Sequence, residues 1–462
     1  MRGGKGFLIL IVLAAAIGGY AYFVESKREP GAGDAAKKGK VFAVDQAKID
    51  EVEVKAAAGD LTRLKKDGST WRITLPGAYD ADQGDASTLV SSLATLEVGR
   101  VVDEKPASVK DYGLDPARIS VGYRLTGDQA MHRLLVGVKT PTGSDLYAQI
   151  EGQPKVFLIG SFNEDTFNKT TFGLREKTAL KFAREGVTSV KIDQGGKVTT
   201  LVKDGNKWRI TTPPANNVAR ADEGVVEGIV SKLADAKMKA LTSEASSTGP
   251  DLMKKWGLDK PSATVTVVVG SGNATIVLGG KADDGTIYAH DASRPIIFTV
   301  DSTLLDEVKK KTDDMRQKDL FDSRSFSMIS LDVTVGGQTF SFGKEKAAAG
   351  GASEVWKQLK PAAKDVDQTK FTDLMGTLSG LRADSFTDKA AAGDVTTFTA
   401  KYGDEASPKT ETVTFHVTKE GAKDKAVTKV TATRQGEPGT AVVSSAEWDK
   451  LIAMVKDLTG VK

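Results

Sequence analysis

Cysteine is absent from all 462 residues. Disulfides, thiolate nucleophiles, cysteine-ligated metals and a lipidated N-terminal cysteine are therefore excluded. Such a chain is compatible with an oxidising compartment. Histidine is scarce: His132, His290 and His416 are the only three, each in or beside a predicted strand in a different third of the chain. Neither His-x-x-x-His nor His-Glu-x-x-His spacing occurs, so ordinary strand or surface histidines are expected rather than a zinc site. The Gly-x-Ser-x-Gly elbow of a serine hydrolase is also missing. No sign of charge dominates, because 64 basic residues against 61 acidic leave a formal +3. That is too small a field to hold nucleic acid or an anionic lipid surface, and no nucleic-acid partner is expected. Long apolar runs are missing except for one, from Phe7 to Val24.

That run decides the expected compartment. Arg2 and Lys5 lie in the basic lead, residues 1–6, and Glu25, Lys27, Arg28 and Glu29 return the chain to water. A helix crosses a bilayer with about 20 apolar residues, in a range of about 17 to 25, so residues 7–24 are long enough for a transmembrane anchor. Tyr20, Tyr22 and Phe23 fall where an interfacial aromatic belt would lie. The basic lead predicts a cytoplasmic N-terminus, with the bulk of the chain periplasmic and anchored by a single pass in a bacterial inner membrane. A cleaved signal peptide is the rival, since Gly19-Tyr20-Ala21 offers a small-x-small site, but aromatic residues crowd that point. Residues 25–40 turn to Gly, Ala, Lys, Glu and Pro, the composition of a flexible linker.

Beyond the linker the chain repeats itself. Trp71-Arg72-Ile73-Thr74-Leu75-Pro76 with Ala81-Asp82 returns as Trp208-Arg209-Ile210-Thr211-Thr212-Pro213 with Ala221-Asp222, and more faintly as Trp356 to Pro361 with Val366-Asp367. A second phrase, Tyr112-Gly113-Leu114-Asp115-Pro116, is echoed by Trp256-Gly257-Leu258-Asp259-Lys260-Pro261. The period of roughly 140 residues is domain-sized. We therefore expect an α+β fold of three tandem repeats, at 41–180, 181–320 and a divergent 321–462.

Local patterns fill in each repeat. Asp82 and Asp222 stand at helix N-caps, followed by apolar residues at helical spacing from Ala86 to Leu96, from Val225 to Leu233 and from Phe371 to Leu381. Period-two runs such as Ile119, Val121, Tyr123, Leu125 and Val265, Val267, Val269 predict strands. Strands are also expected over Val41 to Val54, Leu61 to Lys65 and several later segments, joined by Gly-containing turns that favour antiparallel hairpins. Gly270-Ser271-Gly272 and Gly336-Gly337 read as such turns, since no helix follows to receive a phosphate. A short helix closes each unit. One helix is thus expected to cover one face of each antiparallel sheet.

The residues carry little reactive chemistry. Asp80, Asp82 and Asp85 have the alternation of a calcium loop but lack its glycine and terminal glutamate, so helix capping is the better reading. Trp71, Trp208, Trp256, Trp356 and Tyr112 could form a stacking platform, yet their fixed place in the repeat favours a core role. Arg72 and Arg209 alternate with the tryptophans and are the better candidates for exposed contacts.

The combination resembles one family, the bacterial domain of unknown function 4340 (DUF4340). It is carried by Trp71, Ile73, Pro76, Asp82, Tyr112, Gly113, Leu114, Pro116, Val136, Gly137 and Tyr147, and again by Trp208, Ile210, Pro213, Asp222, Trp256, Gly257, Leu258, Pro261, Leu278, Gly279 and Tyr288. Leu174 to Lys177 and Met315 to Lys318 resemble the Arg-x-Lys phrase that closes such units. The third repeat matches only in outline. The resemblance implies a membrane-anchored, exported protein that works beside an ABC transport system, with its permease or a second exported auxiliary subunit as partner. It implies no catalytic residue, so neither an enzyme nor a cofactor is expected. A glycan- or peptidoglycan-binding module is the alternative, and a carboxylate-dependent hydrolase a more distant one.

Overall fold

The computed structural model describes residues 39–212, 217–243, 249–346, 354–420 and 427–461. The expected anchor at 7–24, nearly all of the linker and Pro213 lie outside the described residues. Among the described residues no helix is long and apolar enough to cross a membrane.

The chain divides into two compact units, the first ending at Lys177 and the second beginning at Thr178. The first holds one sheet: β1 (Ile49–Lys55), β2 (Leu61–Asp67), β3 (Thr70–Leu75), β4 (Tyr79–Asp80), β5 (Arg100–Asp103), β6 (Ile119–Leu125), β7 (His132–Lys139), β8 (Asp145–Ile150) and β9 (Val156–Gly160). The second unit holds two. One contains β10 (Val187–Gln194), β11 (Lys197–Asp204), β12 (Lys207–Thr212), β13 (Asn217–Arg220), β14 (Ala240–Ser243), β15 (Ala263–Val269), β16 (Gly272–Lys281), β17 (Ile287–Asp291) and β18 (Ile297–Val300). The other contains β19 (Met328–Val335), β20 (Gln338–Lys346), β21 (Glu354–Lys360), β22 (Lys364–Asp365), β23 (Ala383–Thr387), β24 (Asp394–Tyr402), β25 (Lys409–Glu420), β26 (Val427–Arg434) and β27 (Thr440–Val443). The helices are α1 (Gln83–Thr95), α2 (Glu164–Phe167), α3 (Thr171–Leu174), α4 (Glu223–Asp235), α5 (Pro250–Lys255), α6 (Ser302–Val308), α7 (Gln368–Ser379) and α8 (Ser445–Thr459).

All three sheets are nine-stranded with one order, β4-β3-β2-β1-β6-β7-β8-β9-β5 in the first. The pairing is antiparallel, so the α+β expectation of three repeats describes the fold. The helix between the fourth and fifth strands joins opposite edges of its sheet. Eight inter-strand steps would span about 38 Å if flat, whereas α1 has 13 residues, about 20 Å of helix. The segments 81–82 and 96–99 on either side of the helix complete the crossing. Ala86, Leu89, Val90, Leu93 and Ala94 are the buried side of α1, against Val52, Val54, Leu64, Ile73, Val121 and Leu134 from the strands. Val226, Ile229, Val230 and Leu233 do the same in α4, and Phe371, Leu374, Met375 and Leu378 in α7. Asp82, Asp222 and Asp367 cap these helices, each side chain accepting a first-turn amide, which satisfies an otherwise unpaired donor.

Several expectations need correction. The first strand starts at Ile49 rather than Val41, because Asp45 caps a single 3-10 turn at Gln46–Lys48 that breaks the extended run. Pro250–Lys255, just before the second Tyr/Trp-Gly-Leu-Asp phrase, is an unforeseen short helix with Pro at its first turn. The closing helix of the third repeat is not short. In the first repeat Asn168 and the N-cap Thr170 split the closing segment into α2 and α3. The third has no such break, so α8 runs for 15 residues until Gly460 ends it in the left-handed conformation at φ 77°.

Candidate functional site

The repeat markers fall into two groups. Trp71, Trp208 and Trp356 lie in the cores at 6%, 3% and 8% exposure. Gln83 clamps the first: its Oε1 accepts from Trp71 N at 2.8 Å and its Nε2 donates to Trp71 O and Ala81 O at 2.9 Å. Gln368 repeats the clamp on Trp356. Pro76 and Pro361 follow cis peptide bonds at the ends of β3 and β21.

Tyr112 and Trp256 are placed differently from the core position their recurrence suggests. Both are half-buried on the sheet face turned away from the helix. Tyr112 lies 4.9 Å from Tyr147 and Trp256 lies 4.3 Å from Tyr288, ring centre to ring centre. Strand alternation is the reason, since Tyr147 sits between the buried Leu146 and Ala148 and must point outward. The phrase also needs its glycines. Gly113 and Gly257 have φ 68°, and a Cβ on Gly137 or Gly279 would come within 1.9 Å of Tyr112 O or 2.5 Å of Trp256 O.

His132 Nε2 lies 3.1 Å from Asp128, His290 Nδ1 lies 3.0 Å from Ile296 O, and His416 sits within β25. Asp82 Oδ1 accepts from Asp85 N at 3.0 Å, and Asp85 pairs with Lys169 at 2.9 Å. Among the described residues no group of three or more His, Asp or Glu is placed to hold a metal ion.

Arg72 and Arg209 lead to the most distinctive arrangement. Arg72 stands directly across from Asp80 on β4 and pairs with it at 3.5 Å. The third repeat matches, with Lys357 across from Asp365 at 3.6 Å. In the second repeat the acid is replaced by Arg220, directly across from Arg209. Like charges in that register repel. Arg209 turns to Asp204 at 3.6 Å, and Arg220 turns into the third repeat.

There Arg220 meets a buried ion-pair network. Its Nη1 reaches Asp322 Oδ1 at 2.6 Å, its Nη2 donates to Asp319 O at 2.8 Å, and its Nε donates to Glu437. Arg434 closes the network, 3.1 Å from Asp322, 2.5 Å from Glu411 and 3.2 Å from Glu437. Glu411 also accepts Asp322 N and Ser323 N at 2.8 Å. Burial pushes the Asp322 carboxyl up, but the charges of Arg220 and Arg434 outweigh it and hold it below the usual carboxylate range. Burial likewise works against the Arg220 charge, and Glu437 and Asp322 more than compensate.

A cleft of about 700 Å³ opens beside the network, lined by Lys197, Lys311, Arg316, Asp313, Asp388, Thr212, Thr312, Pro438 and Gly439 among others. Arg316 belongs to the Arg-x-Lys phrase; its counterpart Arg175 lies 3.7 Å over the Tyr79 ring. Arg316 lies 3.8 Å over Phe386 and donates from Nη2 to Pro438 O at 2.7 Å, with its nearest carboxylate, Asp313, 3.9 Å from Nη1. Here burial wins: it draws the guanidinium below the usual arginine range despite the help of Asp313 and Glu437. Cations and hydroxyls in such a cleft can hold an anionic group.

Arg316 entered the sequence reading only as part of the closing Arg-x-Lys phrase, and Arg220, Glu437 and Arg434 were not singled out, although one signal was readable. Aligning the repeats on Ala81-Asp82, Ala221-Asp222 and Val366-Asp367 shows Asp80, Arg220 and Asp365 at one position, a charge inversion confined to the second copy.

The architecture defines a tandem-repeat α+β protein of nine-stranded antiparallel sheets. The chain belongs to the family described as Domain of unknown function (DUF4340), whose model matches residues 71–219 and 208–403. Both matches begin on a tryptophan strand, and the first runs on into the next repeat's tryptophan strand. No curated protein and no solved structure matches the chain.

Proposed function

We propose that the protein is an exported, membrane-anchored auxiliary or scaffold component of an ABC transport system, and that it holds a partner or ligand without transforming it. Residues 7–24 supply the anchor and Arg2 and Lys5 its orientation, with the N-terminus cytoplasmic and the repeats in the periplasm. Residues 25–40 set the reach. The partner is the transporter's permease or a second exported auxiliary subunit. The observation that carries the reading is the network of Arg220, Arg434, Asp322, Glu411 and Glu437, which fastens the second and third repeats together and leaves a cleft lined by groups that bind.

Co-purification from detergent tests it. Recovery of a permease or an exported partner with the tagged chain is the expected result. Failure to recover either, or recovery of the mature chain from the cytosol, overturns it. The outward aromatic pairs Tyr112–Tyr147 and Trp256–Tyr288 favour one second reading, a glycan-binding surface. Retention on purified cell wall, lost when Trp256 and Tyr112 are replaced by Ala, would select that reading instead.

A further inference from the structure

We infer that the cleft between the second and third sheets binds a phosphate ester with a polar, hydroxyl- or amine-bearing body, its phosphate seated on Arg316, Lys197 and Lys311. One interface treats two arginines unequally. Arg220, 8% exposed in its side chain, is met by two carboxylates and a carbonyl. Arg316, at 12%, has one carbonyl and a carboxylate beyond hydrogen-bonding distance, so its Nε and Nη1 make no hydrogen bond to the described residues. A largely buried cation is stable only when its charge is met, and the open side of Arg316 is the cleft. Lys197 and Lys311 line the same cleft, are exposed, and make no ion pair with the described residues.

The wall is shaped round the guanidinium. Gly439 has φ 80°, and a Cβ there would come within 2.9 Å of Arg316 Nη1. A phosphate ester dianion offers three peripheral oxygens to three cations, which a carboxylate cannot. The cleft volume of about 700 Å³ lies in the range of small-molecule sites. Asp313 and Asp388 share the lining, which disfavours a polyphosphate or nucleic acid and gives hydroxyls or an ammonium on the ligand body their acceptors.

Isothermal titration of the full chain in a nonionic detergent, with inorganic phosphate, glycerol 3-phosphate, glucose 6-phosphate and acetate, tests the inference. The phosphate esters should bind at least about tenfold more tightly than inorganic phosphate, and acetate should give no heat. Vesicles containing phosphatidic acid distinguish a lipid headgroup from a soluble ester, since a lipid site is saturated by the vesicles and not by glucose 6-phosphate. The double variant Lys197→Gln/Lys311→Gln should lose about tenfold or more in affinity. Its positions are exposed, so it stays decisive even if Arg316→Gln loosens the interface. No heat from any phosphate compound at about 10 mM, or unchanged affinity in the double variant, would overturn the assignment. The outcome does not depend on whether a permease co-purifies.

Discussion

Arg209 and Arg220 stand side by side on paired strands, a like-charge pair where the first and third repeats each place a base opposite an acid. The pair is tolerated because Arg220 leaves its own sheet and enters a network of carboxylates from the next repeat. One substitution in the repeat pattern has thereby become a fastening between repeats.

Arg220→Met should cost about 3–5 kcal/mol, because it leaves Asp322 and Glu437 buried with Arg434 as their remaining cation. Urea unfolding of the full chain is expected to shift to lower denaturant and to separate a transition for the second repeat from one for the third. A single unshifted transition would refute the fastening role.

The same network should fail in acid. Asp322 titrates lower in the folded chain than an ordinary Asp, so its contribution is complete above the unfolded value of about 3.9 and is lost as pH falls through the folded value. Stability measured by urea midpoints should hold between about pH 7 and 5 and decline below about pH 4. In Asp322→Asn the acid decline should be shallower, from a lower plateau.

Two glycines should respond with opposite signs. Gly279→Ala drives a Cβ to within 2.5 Å of Trp256 O and is expected to cost about 1–3 kcal/mol. Gly376→Ala, on the exposed side of α7 with nothing within 4 Å of its Cβ, should stabilise by about 0.5–1 kcal/mol. Thermal unfolding of the two variants beside the parent checks both.

Gln368→Ala removes two hydrogen bonds that hold the tryptophan strand to the start of its helix, and a third to Val366 O. The chain should lose about 1 kcal/mol, and amide exchange at Trp356 should speed up. Unchanged exchange there would show that the clamp is dispensable.

Legibility followed the distance over which the chain writes its signals. Alternation at Trp71-Arg72-Ile73 was readable because a strand turns successive residues to opposite faces, and the side chains obey it: Trp71 and Ile73 are buried and Arg72 is exposed. Asp82 and Asp222 were readable as caps because the capped amide lies three residues on. Tyr112 and Trp256 were misplaced because recurrence of an aromatic does not say which face of a sheet receives it. Tyr147 and Tyr288 decide that, from strands more than thirty residues away.

The sequence alone determined that the chain is a set of repeats, where the covering helices begin, and which residues face the core in strands with clear alternation such as Thr70–Leu75 and Ile119–Leu125, because caps and periods act over a few neighbouring residues. Only the tertiary structure decided that nine strands join in one order in each sheet and that Arg220 finds Glu437, its partner 217 residues along the chain. A contact across that separation imposes no period on the residues between, so it becomes visible only when two sheets meet.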